Sequence, residues 1–167
     1  MKRVLIVYYS WSSGNTERIA KMLQKEIGGD IVRIDTITPY EGSYDDVVNQ
    51  GQEEVQRGYE PEIKPLGVNI SDYDVIAVGT PTWWYTMAPA VRTFLHTESF
   101  ADKTVIPFMT NAGWPGNVIK DMKTACEGAD IKCEMQIQFD STGGSRLETP
   151  MGDITKWIQN VKKTIND

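Results

Sequence analysis

Arg3-Val4-Leu5-Ile6-Val7-Tyr8-Tyr9, followed by Ser10-Trp11-Ser12-Ser13-Gly14-Asn15-Thr16 and then by the stretch to Ile27, is the part of the chain that decides its fold. The first block is a continuous apolar run without polar alternation, the pattern of a strand buried on both faces. The last places Ile19, Ala20, Leu23 and Ile27 on one helical face and is closed by Gly28-Gly29. A buried strand thus enters a helix through a short loop of hydroxyl and small residues.

The same unit recurs along the chain. Residues 30–35, 74–79 and 103–109 read as further strands, and residues 88–96 and 116–126 as helices. Between the second and third strands, Tyr44, Val47, Val48, Gly51 and Val55 fall at helical spacing, which predicts a helix with its carboxylates on the outer face. Ile131, Cys133, Met135, Ile137 and Phe139 alternate with Lys132, Glu134, Gln136 and Gln138, so the fifth strand has one wet face and suits a sheet edge. A last helix covers about residues 151–165. Pro107 inside the fourth strand lacks an N–H and points to a bulge there or to other strand limits. Alternating strands and helices predict an α/β fold, a doubly wound five-stranded parallel sheet with helices on both faces, in one domain over residues 1–167. No internal repeat or linker interrupts it.

Composition narrows the function. The chain of 167 residues carries a net charge of −6, against the basic footprint of a general nucleic-acid binder. Seven carboxylates between Glu41 and Glu62 face one cation, Arg57, so this stretch alone accounts for the net charge. Its plain reading is a solvated helix face, and its sharper one a docking surface for a basic partner. Two cysteines, Cys126 and Cys133, form no disulfide scaffold and suit a reducing compartment. A single histidine, His96, excludes a metal site built on two imidazoles, and its place near a helix C-terminus explains it without catalysis. The apolar head is too short for a signal peptide, and no run approaches a membrane span, so a soluble, cytoplasmic protein is expected.

In doubly wound sheets ligands bind beyond the carboxyl ends of the strands, where the winding reverses. The loop Ser10 to Thr16 offers hydroxyls, a glycine and backbone N–H groups at a helix N-terminus, an anion site when it is more than an N-cap. It has no lysine, which excludes a Walker-A loop and suits a terminal monophosphate held without transfer. After the third strand come Gly79-Thr80-Pro81-Thr82-Trp83-Trp84-Tyr85, whose aromatics suit a flat ligand or, alternatively, a protein–protein hot spot. After the fourth come Thr110-Asn111-Ala112-Gly113-Trp114-Pro115. Four of five tryptophans thereby follow the ends of three neighbouring strands, which points to one ligand with a phosphate at one end and a planar ring at the other.

Ser12-Ser13-Gly14-Asn15-Thr16-Glu17 resembles the flavodoxin phosphate loop. Gly79-Thr80-Pro81-Thr82-Trp83-Trp84 resembles the Gly-x-Pro-x-Trp-Trp signature of a bacterial flavodoxin-like subfamily. The resemblance spans the chain and implies FMN as cofactor, a sheet ordered 2-1-3-4-5, and redox function. It implies that Ser12, Ser13, Asn15 and Thr16 hold the FMN phosphate, with Gly14 giving the turn. Trp11 stands where many flavodoxins carry another Ser or Thr, and Ser10 is the candidate to supply that hydroxyl. Residues Thr80, Pro81, Thr82, Trp83, Trp84 and Tyr85 would line the isoalloxazine, and Thr110, Asn111, Ala112, Gly113 and Trp114 would close its other side. The third loop lacks the Asp-x-Tyr-type segment of typical electron carriers.

The first functional reading is therefore a low-potential electron carrier with no catalytic side chain and no metal, docking to redox proteins. The alternative is an FMN-dependent NAD(P)H or quinone oxidoreductase acting on a small quinone or nicotinamide substrate. Without a Gly-x-Gly-x-x-Gly motif, nicotinamide would have to bind over the flavin. A third reading is a non-redox phosphate-ligand binding module. A receiver domain would need acids where Tyr9-Ser10 and Gly79-Thr80 stand, and a low-molecular-weight phosphatase an early cysteine.

Overall fold

The computed structural model describes residues 2–167. In chain order the elements are β1 (Val4–Tyr8), α1 (Asn15–Ile27), β2 (Asp30–Arg33), α2 (Tyr44–Gln56), β3 (Val75–Trp83) and β4 (Thr86–Met87). They continue with α3 (Pro89–Thr97), β5 (Thr104–Asn111), α4 (Val118–Ala125), β6 (Asp130–Ile131), β7 (Met135–Gln138) and α5 (Met151–Asn166). The sheet runs β2-β1-β3-β5-β6, with β7 also on β5 and β4 on β3, and every pairing but β3–β4 is parallel. This is the expected doubly wound order.

Successive residues of a strand face opposite sides, which is why the central strands are apolar throughout. Leu5, Val7, Ile76 and Val78 face a core closed by α3 and α4 through Val91, Phe94, Val118 and Met122. Ile6, Tyr8, Ala77 and Ile106 face a second core closed by α1 and α5 through Ile19, Leu23, Ile154 and Trp157. Each such large apolar side chain contributes about 1.5–3 kcal/mol on burial. Gly79 is required where the second core is tightest. A Cβ there would stand 2.3 Å from Cζ of Phe108, its partner in the β3–β5 register.

The structure departs from the sequence reading in three places. The fifth strand is divided into β6 and β7, because Lys132, Cys133 and Glu134 stand opposite only Ile106 and Pro107 of β5. Lys132 N–H bonds the carbonyl of Val105, so the ladder alternation aims the missing N–H of Pro107 at this edge, and Cys133 takes φ +53° in the resulting bulge. Next, β3 does not stop at Gly79 but runs to Trp83 and turns back into β4 through Trp84 and Tyr85. Their φ values of 51° and 69° are those of a two-residue hairpin turn usually built from Asn and Gly.

The third departure concerns charge. Ser43 and Asp46 form a capping box that starts α2 as predicted, but not all its carboxylates face outward. Glu54 is 2% exposed. It accepts hydrogen bonds from the Tyr40 hydroxyl at 2.7 Å and the Gln50 amide at 2.8 Å. His96 has a partner beyond the helix end, since its Nδ1 lies 2.9 Å from a Glu60 carboxylate oxygen.

Candidate functional site

The loop after β1 leaves the sheet and enters α1 through two left-handed residues, Ser12 at φ +62° and Gly14 at φ +73°. Such a path turns successive amides inward as a nest at the positive end of the helix. Among the described residues, the backbone N–H groups of Ser12, Ser13, Gly14, Asn15 and Thr16 donate to no other group. The Thr16 hydroxyl is buried and lies 2.8 Å from that of Thr110, joining this loop to the end of β5.

Across the strand ends stands an aromatic wall. Trp83 meets Tyr40, Tyr9 and Trp11 edge to face at centroid distances of 5.0, 5.9 and 5.9 Å. Trp11 in turn stacks on Tyr44 at 5.5 Å. Trp84 donates from Nε1 to the carbonyl of Val48 at 2.8 Å, tying the hairpin tip to α2. Burial raises the pKa of Tyr9 and of Tyr40 well above the usual phenol value, so both remain neutral donors in this wall. At the rim Tyr85 and Trp114 are 56% and 57% exposed.

Nest and wall are two ends of one cavity of about 320 Å³, within the usual range of small-molecule sites. From the first loop Trp11, Ser12, Ser13, Asn15 and Thr16 line it, and from the second Pro81, Thr82, Trp83, Trp84 and Tyr85. The third loop contributes Thr110, Asn111, Ala112 and Trp114. Four expected residues do not line it. Ser10 is 2% exposed and its hydroxyl accepts the N–H of Glu17 at 3.2 Å, so it caps α1 and supplies no hydroxyl to the loop. Thr80 is fully buried, accepting from the Ala88 N–H at 3.0 Å and donating to the Pro81 carbonyl. Gly14 shapes the turn, and Gly113 lies outside with its N–H on Asn111 Oδ1 at 2.8 Å.

Two further groups complete the cavity and were not among the expected site residues. From α2 come Tyr44, Val47, Val48 and Gly51. Gly51 lets the helix approach Trp83, since a Cβ there would stand 3.0 Å from the indole. The signal was present in the apolar spacing of that helix, whose exposed-looking face needed cover. From the end of β7 come Phe139, Asp140, Gly143 and Gly144. This loop too follows a strand's carboxyl end, the position that the topology marks for ligands. It engages two of the expected phosphate ligands, because Ser13 Oγ donates to the Gly143 carbonyl and Asn15 Nδ2 to that of Gly144, both at 3.0 Å.

Among the described residues no Lys or Arg lines the cavity, and Asp140 is the one charged residue that does. The Asp140 carboxyl is lowered to about 2 by hydrogen bonds from the Thr142 hydroxyl and from the amides of Gly144, Arg146 and Thr142.

A site with free amides at one end, aromatic rings at the other and no cation defines an α/β protein that takes a phosphate-bearing planar ligand where the sheet's winding reverses. Residues 3–161 match the family model described as flavodoxin, and the chain belongs to the flavodoxin family. Among curated proteins it is 29% identical over 84 residues to the flavodoxin of Haemophilus influenzae, a match covering 50% of this chain and 34% of that protein. It is 27% identical over 79 residues to flavodoxin 1 of Escherichia coli K12, covering 47% and 31%. These matches thus span about a third of the relatives' own length. Among solved structures, a protein of Bacteroides eggerthii DSM 20697 provisionally described as a flavoprotein superposes with TM-score 0.77 and 27% identity, covering 100% of this chain and 99% of that one. A flavoprotein of Lactobacillus acidophilus NCFM, solved in complex with FMN, shares the fold at TM-score 0.70 and 21% identity over 94% of this chain and 99% of the other. No helix among the described residues is long and apolar enough to cross a membrane.

Proposed function

We propose that the cavity holds FMN and that the protein carries electrons at low potential. The observation that carries this reading is the run of five free amides from Ser12 to Thr16 at the head of α1, where Ser12, Ser13, Asn15 and Thr16 line the same cavity as the aromatic wall. These donors fit a phosphate monoester: neutral N–H and hydroxyl groups at a helix N-terminus, without a lysine to assist transfer. In this reading the amides and the hydroxyls of Ser12 and Thr16 bind the phosphate, while Trp83, Trp84, Tyr85 and Trp114 flank the ring and exclude water from it. Pro81 stiffens the second loop and withholds one N–H donor.

Bound FMN supplies the electron-transfer chemistry, and the protein supplies binding, orientation and electrostatics. Negative charge added at the aromatic end meets no cation among the described lining residues. That disfavours the reduced anionic form and lowers the potential below that of free FMN. No side chain need act as acid or base.

A second reading, an FMN-dependent reductase of quinones or NAD(P)H-linked substrates, is favoured by the exposed rim at Tyr85 and Trp114, which would admit a flat molecule over the ring. An anaerobic titration of the FMN-loaded protein, with dithionite and then with NADH and NADPH, separates the readings. Reduction by dithionite in two separated one-electron stages, with pyridine nucleotides inert, supports the carrier. Rapid reduction by NADH or NADPH supports the enzyme. A protein that is colourless and takes up no added FMN overturns both and leaves a non-redox binding module.

A further inference from the structure

Trp83 lines the cavity and meets three further rings, Tyr40 at 5.0 Å and Tyr9 and Trp11 at 5.9 Å between centroids. Of the two phenols, Tyr40 is the one placed to lose a proton. Its hydroxyl donates to Glu54 Oε1 at 2.7 Å, and Glu54, 2% exposed, takes the Gln50 amide on its other oxygen at 2.8 Å. Tyr9 is buried as well, but among the described residues its hydroxyl donates to no carboxylate. Tyr8 and Tyr73 do donate to carboxylates, Glu17 and Asp30, yet neither forms an aromatic pair with Trp83. Trp83, Tyr40 and Glu54 thus form one line from the ligand cavity into α2.

A phenol that loses an electron becomes a strong acid, so it is oxidised readily only where a base takes its proton in the same step. Burial, with the Glu54 hydrogen bond, holds the Tyr40 hydroxyl protonated far above the usual phenol range, so its proton does not leave ahead of the electron. The carboxylate lies within the ~2.6–3.2 Å reach of direct proton transfer.

We infer that Tyr40 and Glu54 are a redox-active pair that draws an oxidising equivalent out of the cavity through Trp83; the inference rests on the FMN reading above for its oxidant, the light-excited oxidised isoalloxazine. That oxidant takes one electron from the Trp83 indole. Tyr40 returns one electron to the indole across the edge-to-face contact, while its O–H bond breaks and the proton forms a new O–H bond on Glu54 Oε1. The sum is an oxidant reduced by one electron, a neutral Tyr40 phenoxyl radical, a neutral Glu54 carboxylic acid and an unchanged Trp83. The step replaces a buried carboxylate by a neutral acid, which removes the cost of the buried charge and holds the oxidation at Tyr40. It stands apart from the carrier's own electron cycle and moves the oxidising equivalent away from the ring after light is absorbed.

The test is laser-flash electron paramagnetic resonance on the full chain loaded with FMN, for the wild type, Tyr40→Phe, Tyr9→Phe and Glu54→Gln, with FMN uptake measured first by absorbance. The wild type and Tyr9→Phe should give a tyrosyl radical whose signal narrows when the tyrosines are ring-deuterated. Tyr40→Phe should lose that signal. Glu54→Gln, which keeps an acceptor for the hydroxyl but removes the base, should leave the radical on tryptophan. In D2O the wild-type tyrosyl signal should rise more slowly, because the O–H bond breaks in the step that forms it; this measurement decides the matter if a variant does not fold. A tyrosyl signal that survives Tyr40→Phe, a yield unchanged in Glu54→Gln, an equal rise in D2O, or no tyrosyl radical in the FMN-loaded wild type overturns the inference. If the wild type takes up no FMN, it is the FMN reading that fails, and the pair loses its oxidant with it.

Discussion

The hydroxyl of Tyr40 donates a 2.7 Å hydrogen bond to the carboxylate of Glu54, a residue 2% exposed on the inner side of α2. The ring of Tyr40 packs edge to face on Trp83, whose indole also lies against Gly51 of the same helix. The acidic helix is thereby fastened to the aromatic wall of the cavity through a buried charge. A buried carboxylate is stable only when donors surround it, and here there are two, Tyr40 and Gln50.

Tyr40→Phe removes one of those donors and leaves the carboxylate in place. The variant should be less stable by about 1.5–3 kcal/mol, the usual cost of losing a hydrogen bond to a charged group. Urea denaturation followed by far-ultraviolet circular dichroism measures it. A midpoint equal to that of the wild type would show that Glu54 does not depend on this bond.

The tryptophans of the cavity should separate into two kinds. Trp83 is half-buried at the centre of three aromatic contacts, so Trp83→Ala should lower stability by about 3 kcal/mol as well as perturb the flavin spectrum. Trp114 is largely exposed, and Trp114→Ala should change stability by no more than about 0.5 kcal/mol while still altering flavin absorbance or affinity. Thermal melts of the apoprotein beside flavin titrations of each variant check both statements. If neither variant changes the flavin signal, the wall is not where the ring binds.

Thr16 and Thr110 share one hydrogen bond at 2.8 Å, so one of the two hydroxyl protons remains free for another acceptor. Thr16→Ala should weaken FMN binding by about 1–3 kcal/mol, and Thr16→Ser should restore most of it. Thr110→Ala should cost less, because its effect on the phosphate runs through Thr16. Calorimetric titration of the three variants decides this, and equal affinities throughout would remove Thr16 from the phosphate site.

The carboxyl of Asp140 is held at about 2, below its ordinary value of 3.8, by the donors of its own loop, residues 140–146. A lowered acid stabilises the folded form above its ordinary pKa, and that contribution is lost as pH falls through the folded value. This loop should therefore keep its amide chemical shifts from neutral pH down to about pH 4 and lose them toward pH 2. Amide and carboxyl signals of residues 140–146, followed by NMR across this range, provide the measurement. Loss of the loop signals near pH 5 would contradict it.

Much of the frame was legible in the order of residues. The central strands read as uniformly apolar because both of their faces are covered, and α1 and α5 announce themselves by one apolar stripe each. The three loops of the site follow from that order, since strand ends at a winding reversal gather on one edge. The β3–β4 hairpin was not legible, because Trp84 and Tyr85 occupy left-handed backbone that normally signals itself through Gly or Asn. Ser10 was misplaced because a hydroxyl beside an anion loop and one that caps the following helix look alike in a sequence.

Local pattern alone determined the alternation of strand and helix, the loop of hydroxyls at the head of α1 and the cluster of aromatics after β3. Periodicity reports which face of an element is apolar, but it does not say what covers that face. The inward turn of Glu54 and the seating of α2 on the cavity were decided by tertiary packing. So was the loop contact that ties Gly143 to Ser13, 130 residues away in the chain. Each depends on partners brought together only when the sheet is wound, and no local spacing encodes them.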